Sequence, residues 1–394
     1  MSSLASLPSG PFRWSEEEVI KYGRLAIKGK TQKYPEYAKY PAGSLIHTPS
    51  IAQHTWLMAT LCFALPCEIA GLDIAHCIQL SVVYGMKLVD VELCQNNPAA
   101  KLLEELKQCK SVASQIVLEV DKIAMLLLTS LDSDSGTNHY DSIMRSLVHL
   151  KEWAKEITYM PPIDQVPAIT TELKPGEWSL HKELLKRVHL QHPGDSKSLP
   201  VFARTAVNLL TVKRQGWVNE KIDEKTEVES VADHSWSMAV LCFLIREEGM
   251  VKVQDAVRGC VVHDLAESLV GDITYKDGVD KEEKLRREGS TIDFLQSQLP
   301  KDAPLKASWE EFETAETRTA EIAKDLDKVD LAFQASDYEE RTGVKLHEFF
   351  DSAERVKLCG CLIKEIIEQR KTKFEALDDK TRRKLDNYYG NRAT

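Results

Sequence analysis

Ser50-Ile51-Ala52-Gln53-His54-Thr55-Trp56-Leu57-Met58-Ala59-Thr60-Leu61-Cys62-Phe63 and Ser230-Val231-Ala232-Asp233-His234-Ser235-Trp236-Ser237-Met238-Ala239-Val240-Leu241-Cys242-Phe243 lie 180 positions apart and are identical at 9 of 14 positions. Each opens with a serine followed three residues later by Gln53 or Asp233, the spacing of a capping box that starts a helix. Val231, Met238, Cys242 and Ile245 then recur at helical intervals. The echo continues downstream. Val82-Val83-Tyr84-Gly85 stands where the second copy has Val261-Val262-His263-Asp264, Val120-Asp121-Lys122-Ile123 matches Leu326-Asp327-Lys328-Val329, and Tyr140-Asp141-Ser142 matches Phe350-Asp351-Ser352. The order is kept, as an internal repeat requires. The offset grows from 179 to 206 between Asp264 and Asp327, which marks an insertion in the second copy. Its polar stretch, Thr274 to Arg287, is expected to form a loop facing a substrate.

Helical periodicity also runs through Gln254–Leu269 and Glu321–Gln334, and few segments alternate like strands. The expected fold is all-α, with two tandem helical domains, each packed around a central site. Pro161, Pro162, Pro167, Pro175, Pro193 and Pro200 oppose long regular elements between the copies, although Ser179–His189 reads as a helical piece. The domains are placed at 12–160 and 200–394, with a proline-rich connector at 161–199.

A net charge of -10 argues against a nucleic-acid surface. The nine cysteines form no paired CxxC sets, and Cys359-Gly360-Cys361 reads as buried thiols on a helix. That usage fits a reducing compartment. The start of the chain lacks a cationic region followed by an apolar run, and no apolar stretch reaches membrane-spanning length. The expectation is a cytoplasmic protein with neither membrane nor nucleic acid as partner.

His234 falls in the first turn of one expected helix, His263 and Asp264 are adjacent inside another, and Asp327 is on a third. Two imidazoles and two carboxylates suit a divalent ion of borderline hardness and leave positions for water and substrate oxygens. The segment is similar to the HD-domain metal-dependent phosphohydrolases, and within them to the 5'-deoxynucleotidase branch. The resemblance rests on Arg214-Gln215-Gly216-Trp217, on Ser230-Val231-Ala232-Asp233-His234, and on His263-Asp264-Leu265-Ala266-Glu267 with Gly271-Asp272-Ile273. It extends to Leu326-Asp327 and Gln334-Ala335-Ser336-Asp337-Tyr338-Glu339, and so spans nearly all of residues 200–375.

The resemblance implies that His234, His263, Asp264 and Asp327 bind the metal and that Glu267 is catalytic. It further implies that Arg214 holds the phosphate, Trp217 lines the sugar pocket and Asp272 bonds the 3'-hydroxyl. The substrate would be a deoxynucleoside 5'-monophosphate. No histidine occurs between His263 and His347, so one divalent ion (Mn, Co, Mg, Fe or Zn) is expected rather than two. The run Lys281 to Arg287 reads as a solvated helical face.

The first copy keeps His54 and Asp121 but has Tyr84-Gly85 for the His-Asp pair and Leu88 for the glutamate. At the arginine position the match is loose, near Gly29. His54 and Asp121 are expected to persist as a hydrogen-bonded pair without metal or chemistry. Because many such nucleotidases are homodimers, the resemblance also implies an intramolecular pseudo-dimer, with further dimerisation of the chain left open. Hydrolysis of a nucleoside triphosphate or cyclic nucleotide, and non-catalytic nucleotide sensing, remain alternatives.

Overall fold

The computed structural model describes residues 16–39, 48–65, 69, 71–89, 97–130, 147–151, 180, 198–354, 356 and 358–375. The first half contributes α1 (Glu16–Thr31), α2 (Ile51–Leu61), α3 (Ile74–Leu88), α4 (Pro98–Gln108) and α5 (Val112–Ser130). The second contributes α6 (Ser198–Asn208), α7 (Gln215–Asn219), α8 (Val231–Leu241), α9 (Val253–Val262), α10 (Glu267–Val270), α11 (Lys281–Ser297), α12 (Leu305–Thr314), α13 (Arg318–Thr342), α14 (His347–Ala353) and α15 (Gly360–Glu375). Among the described residues there is no strand, only two isolated antiparallel bridges, Lys33 with Ser50 and Lys213 with Ser230. The all-α expectation is met.

Both capping boxes form. The Ser50 and Ser230 hydroxyls accept the Gln53 and Asp233 amides, and the Gln53 and Asp233 side chains accept in return from the serine amides. α2 and α8 are apolar on nearly all sides and buried along their whole length, so they occupy the centre. They pack on each other, and their caps meet. Ser50 Oγ donates to Asp233 Oδ1 at 2.5 Å, while Gln53 Nε2 donates to Ser230 Oγ at 2.9 Å and Asp233 Oδ2 at 3.0 Å. Trp56 Nε1 reaches the Val261 carbonyl at 2.9 Å.

The first helix of each half lies across the other half. α1 packs on α8 and α13, and α6 packs on α2 and α5. Glycines permit the close approach of α1. A β-carbon on Gly23 would stand 2.2 Å from the Phe333 ring, and one on Gly29 would stand 2.2 Å from the Trp236 ring.

Three expectations need correction. Gln254–Leu269 is not one helix: α9 ends at Val262, and the chain turns through i+3 bonds from Leu265 N to Val262 O and from Glu267 N to Asp264 O, both 3.0 Å. Leu265, Ala266 and Leu269 are buried all the same, so the apolar pattern ran on through a turn that periodicity cannot see. Thr274–Arg287 is only half loop, because Asp280 caps α11 by accepting from Glu283 N at 2.8 Å. In Cys359-Gly360-Cys361 only Cys359 is buried; Cys361 is exposed. The helix expected at Ser179–His189 lies outside the described residues except for Leu180. None of the described helices is long and apolar enough to cross a membrane.

Candidate active site

His234 is presented by the capped first turn of α8, and its Nδ1 lies 2.7 Å from Asp330 Oδ2 on α13. His263 follows α9, with Nδ1 2.8 Å from the Cys260 carbonyl. Neither partner oxygen can donate when the carboxylate is ionised, so each Nδ1 carries a hydrogen, and Nε2 is the ring atom left to take an ion. The two rings meet edge to face, with centroids 5.4 Å apart and planes at 68°. The ligand atoms of His234, His263 and Asp264 all fall within 4.8 Å of one another. Asp327 Oδ1, from α13, lies 3.2 Å from His234 Nε2, and Asp264 Oδ2 lies 3.0 Å from His263 Nε2.

Both Nε2 atoms and Glu267 Oε2 are buried without a hydrogen-bond partner. Leaving such an atom unmet costs about 1–3 kcal/mol. The two Nε2 atoms, within 4.8 Å of each other and of an Asp264 oxygen, fit a bound divalent cation, and the nitrogen and oxygen donors are those such ions prefer.

Charge is balanced around that point. Burial would raise the Asp264 carboxyl, but His263, Arg214 and His234 hold it below the ordinary carboxylate range. Burial, with Asp264 and Asp272 nearby, pushes Glu267 well above the usual glutamate range, against the opposing pull of Arg214 and Lys284. Arg214, the N-cap residue of α7, donates from Nη1 to Asp264 Oδ2 at 2.9 Å, and its Nη2 is 3.8 Å from Asp327 Oδ1. Asp272 follows Gly271, whose φ of 81° turns the chain back, and accepts from Gln215 N at 2.6 Å. The structure therefore brings His234, His263, Asp264, Asp327, Glu267, Arg214 and Asp272 together.

Trp217 sits lower than a pocket wall. Its indole is 1% exposed, stacked on Phe349 with centroids 4.3 Å apart, and it donates from Nε1 to Glu229 at 2.8 Å.

A family model described as HD domain matches residues 206–360. The chain is 38% identical to the human protein named 5'-deoxynucleotidase HDDC2 over 161 residues, 40% of this chain and 77% of that one. It is 36% identical to the Dictyostelium discoideum protein of the same name, covering 38% of this chain and 85% of the relative. It is 30% identical to 5'-deoxynucleotidase YGK1 of Saccharomyces cerevisiae, covering 52% of this chain and 96% of the relative. The chain belongs to the HD-domain 5'-deoxynucleotidase family.

The first half lies largely outside the HD-domain match. There, tyrosines surround His54 and Asp121. Tyr34 follows the Lys33–Ser50 bridge as Arg214 follows the Lys213–Ser230 bridge. Tyr34 Oη donates to Asp121 Oδ1 at 2.5 Å, and its ring lies over His54 with centroids 3.8 Å apart. Tyr37 Oη contacts His54 Nδ1 at 3.1 Å, Tyr84 Oη donates to Asp121 Oδ2 at 3.5 Å, and His54 Nε2 is 2.8 Å from Asp121 Oδ1. Both nitrogens of His54 and both carboxylate oxygens of Asp121 thus have a polar neighbour.

Four residues of the HD-domain site were missed in the sequence. Asp330 lies one turn beyond Asp327 on the same helix, a spacing that could have revealed it. Lys284, read as part of a solvated face, turns inward: Nζ donates to the Ile273 carbonyl at 3.1 Å and lies 3.9 Å from Glu267 Oε1. Glu229 and Lys30 carried no local signal, because their partners are distant in sequence.

Proposed function

We propose that the chain hydrolyses deoxynucleoside 5'-monophosphates to deoxynucleosides and phosphate, using one divalent ion held by His234, His263, Asp264 and Asp327. The observation that carries this reading is the convergence of two buried, unmet atoms, His234 Nε2 and His263 Nε2, beside Asp264, Asp327 and the Arg214 guanidinium. The names of the relatives support the substrate class.

When bound, the ion would supply an electrophile for a phosphoryl oxygen and an activated water. Arg214 offers a planar donor fork to the phosphate. Glu267, whose hold on a proton is strengthened by burial and by its acidic neighbours, can give a proton to the leaving 5'-oxygen. Asp272 stands where a carboxylate could accept from a sugar hydroxyl. Trp217 holds the Arg214 segment from beneath, since its backbone N–H donates to the Arg214 carbonyl at 3.1 Å. Lys284 adds a second cation, but it is shared between Glu267 and Glu288, and a longer phosphate chain would find few free donors.

The first half is read as a degenerate copy of the second, the two forming a pseudo-dimer within one chain, with a single active site. Support comes from the paired bridges, the paired capping boxes that bond to each other, and the reciprocal crossing of α1 and α6.

The test is release of phosphate from dAMP, dCMP, dGMP, dTMP and dUMP with Mn2+ or Co2+. Cleavage that is lost in His263→Ala and Asp264→Ala supports the reading. Failure to cleave any of the five with any divalent metal overturns it.

A further inference from the structure

Lys30 belongs to α1, in the first half, yet its ammonium is buried in the second. Nζ lies 2.7 Å from Glu229 Oε2, 3.0 Å from each oxygen of Asp330 and 3.1 Å from Gln334 Oε1. The side chains of Lys30, Glu229 and Asp330 are at most 3% exposed. An ammonium has three protons, and three residues receive them here, with no need of water. Glu229, His234 and Asp330 together have the donor set for a cation. Lys30 already fills that role, so this group is not a second metal centre.

Both carboxylates lead on into the active site. Asp330 accepts from His234 Nδ1 at 2.7 Å and from the Ser237 hydroxyl, which fixes the imidazole that presents Nε2 to the ion. Glu229 accepts from Trp217 Nε1 at 2.8 Å, and its carbonyl accepts from Arg214 N at 3.2 Å, which fixes the segment bearing the guanidinium. One ammonium thus ties the carboxylate behind a metal ligand to the carboxylate behind the anion clamp. We propose that Lys30 is a positioning residue for the second half's metal site, so that the site is incomplete without the first helix of the chain. Gly29 and Gly23 make this reach possible, since side chains there would hold α1 away from Trp236 and Phe333.

Removing the ammonium would strand two carboxylates in a space closed to water. Asp330 would lose the one partner that holds both its oxygens, leaving Ser237 and His234 alone to fix its carboxylate plane, and the orientation of His234 would loosen with it. Partners that orient a metal-ligating imidazole typically account for 10- to 100-fold in metal affinity. The inference rests on the hydrolase reading only for the identity of the metal ligands.

The experiment compares full-length, metal-stripped wild type with Lys30→Met by calorimetric Mn2+ titration. Melting temperature, and kcat and KM for a deoxynucleoside monophosphate, are measured alongside. Expected is a rise of about 10-fold or more in the Mn2+ Kd, with a loss of kcat that excess Mn2+ only partly restores. Lys33→Met is the control: that ammonium is half exposed, 3.4 Å from Glu227, and its loss should leave the Kd unchanged. A folded Lys30→Met variant that binds Mn2+ as wild type does overturns the proposal, whatever its melting temperature. Should Lys30→Met fail to fold, Lys30→Met/Glu229→Gln removes one stranded carboxylate and gives the same readout. A wild type that binds Mn2+ but cleaves no monophosphate defeats the substrate reading alone. One that binds no divalent ion defeats both.

Discussion

The six-membered ring of Trp236 lies against Gly29 so closely that a β-carbon on the glycine would stand 2.2 Å from ring atom Cζ3. Alanine in a helix interior normally gains about 0.5–1 kcal/mol over glycine. Here overpacking costs about 1–3 kcal/mol, because the indole is fully buried and cannot withdraw. Gly29→Ala should therefore lower the melting temperature. An unchanged or higher value in a thermal melt would show that α1 does not pack as described.

Glu267→Gln keeps the shape of the side chain and removes its acidity. The expected loss in kcat is about 10²- to 10⁴-fold. Mn2+ affinity measured by calorimetry should stay near that of wild type, since Glu267 stands outside the ligand set. A variant that retains most of its turnover would remove Glu267 from proton transfer.

Glu288, linked to Glu267 through Lys284, offers a test by stability. Burial lifts its carboxyl from 4.5 up to about 7, with Lys284 opposing and Asp264 and Glu313 adding to the rise. The folded state then holds this proton more tightly than the unfolded chain does. Stability contributed by the protonated form is full below the unfolded value and declines as pH climbs toward 7. A displacement of that size corresponds to about 3 kcal/mol at most. Glu288→Gln should accordingly raise the melting temperature at pH 8 relative to wild type and leave it little changed at pH 4. Equal effects at the two pH values would refute the assignment.

Rebuilding the His-Asp pair in the first half should fail. A β-carbon on Gly85 would lie 2.5 Å from Thr55 Oγ1 and 2.9 Å from Trp236. Tyr84→His/Gly85→Asp is expected to destabilise the protein and to add no second ion per chain, as counted by metal analysis after desalting. Tyr84→Ala alone should leave turnover by the second half largely intact.

The sequence disclosed the capped helices and the seven residues that converge in the second half, because those signals are local: a serine three residues before an acid or amide, a His-Asp pair, a glutamate one turn on. It did not disclose the break after Val262, since Leu265, Ala266 and Leu269 are buried in a turn as they would be in a helix. Nor did it show that Lys284 faces inward, because a charge run looks alike whichever residue turns in. Lys30 was the least legible. Its partners Glu229, Asp330 and Gln334 lie some two to three hundred residues away, and only the crossing of α1 brings them near.

The two helix caps at the centre carry a consequence for assembly. Gln53 supplies an amide where Asp233 supplies a carboxylate, and each finds its complement across the contact. If two second halves met through the same face, Asp233 would confront its own counterpart, and the amide donor would be missing. That face is already saturated inside a single chain, and its chemistry is one-directional. In this structure the face is covered within the chain, so a further copy of the protein would meet it on a different surface.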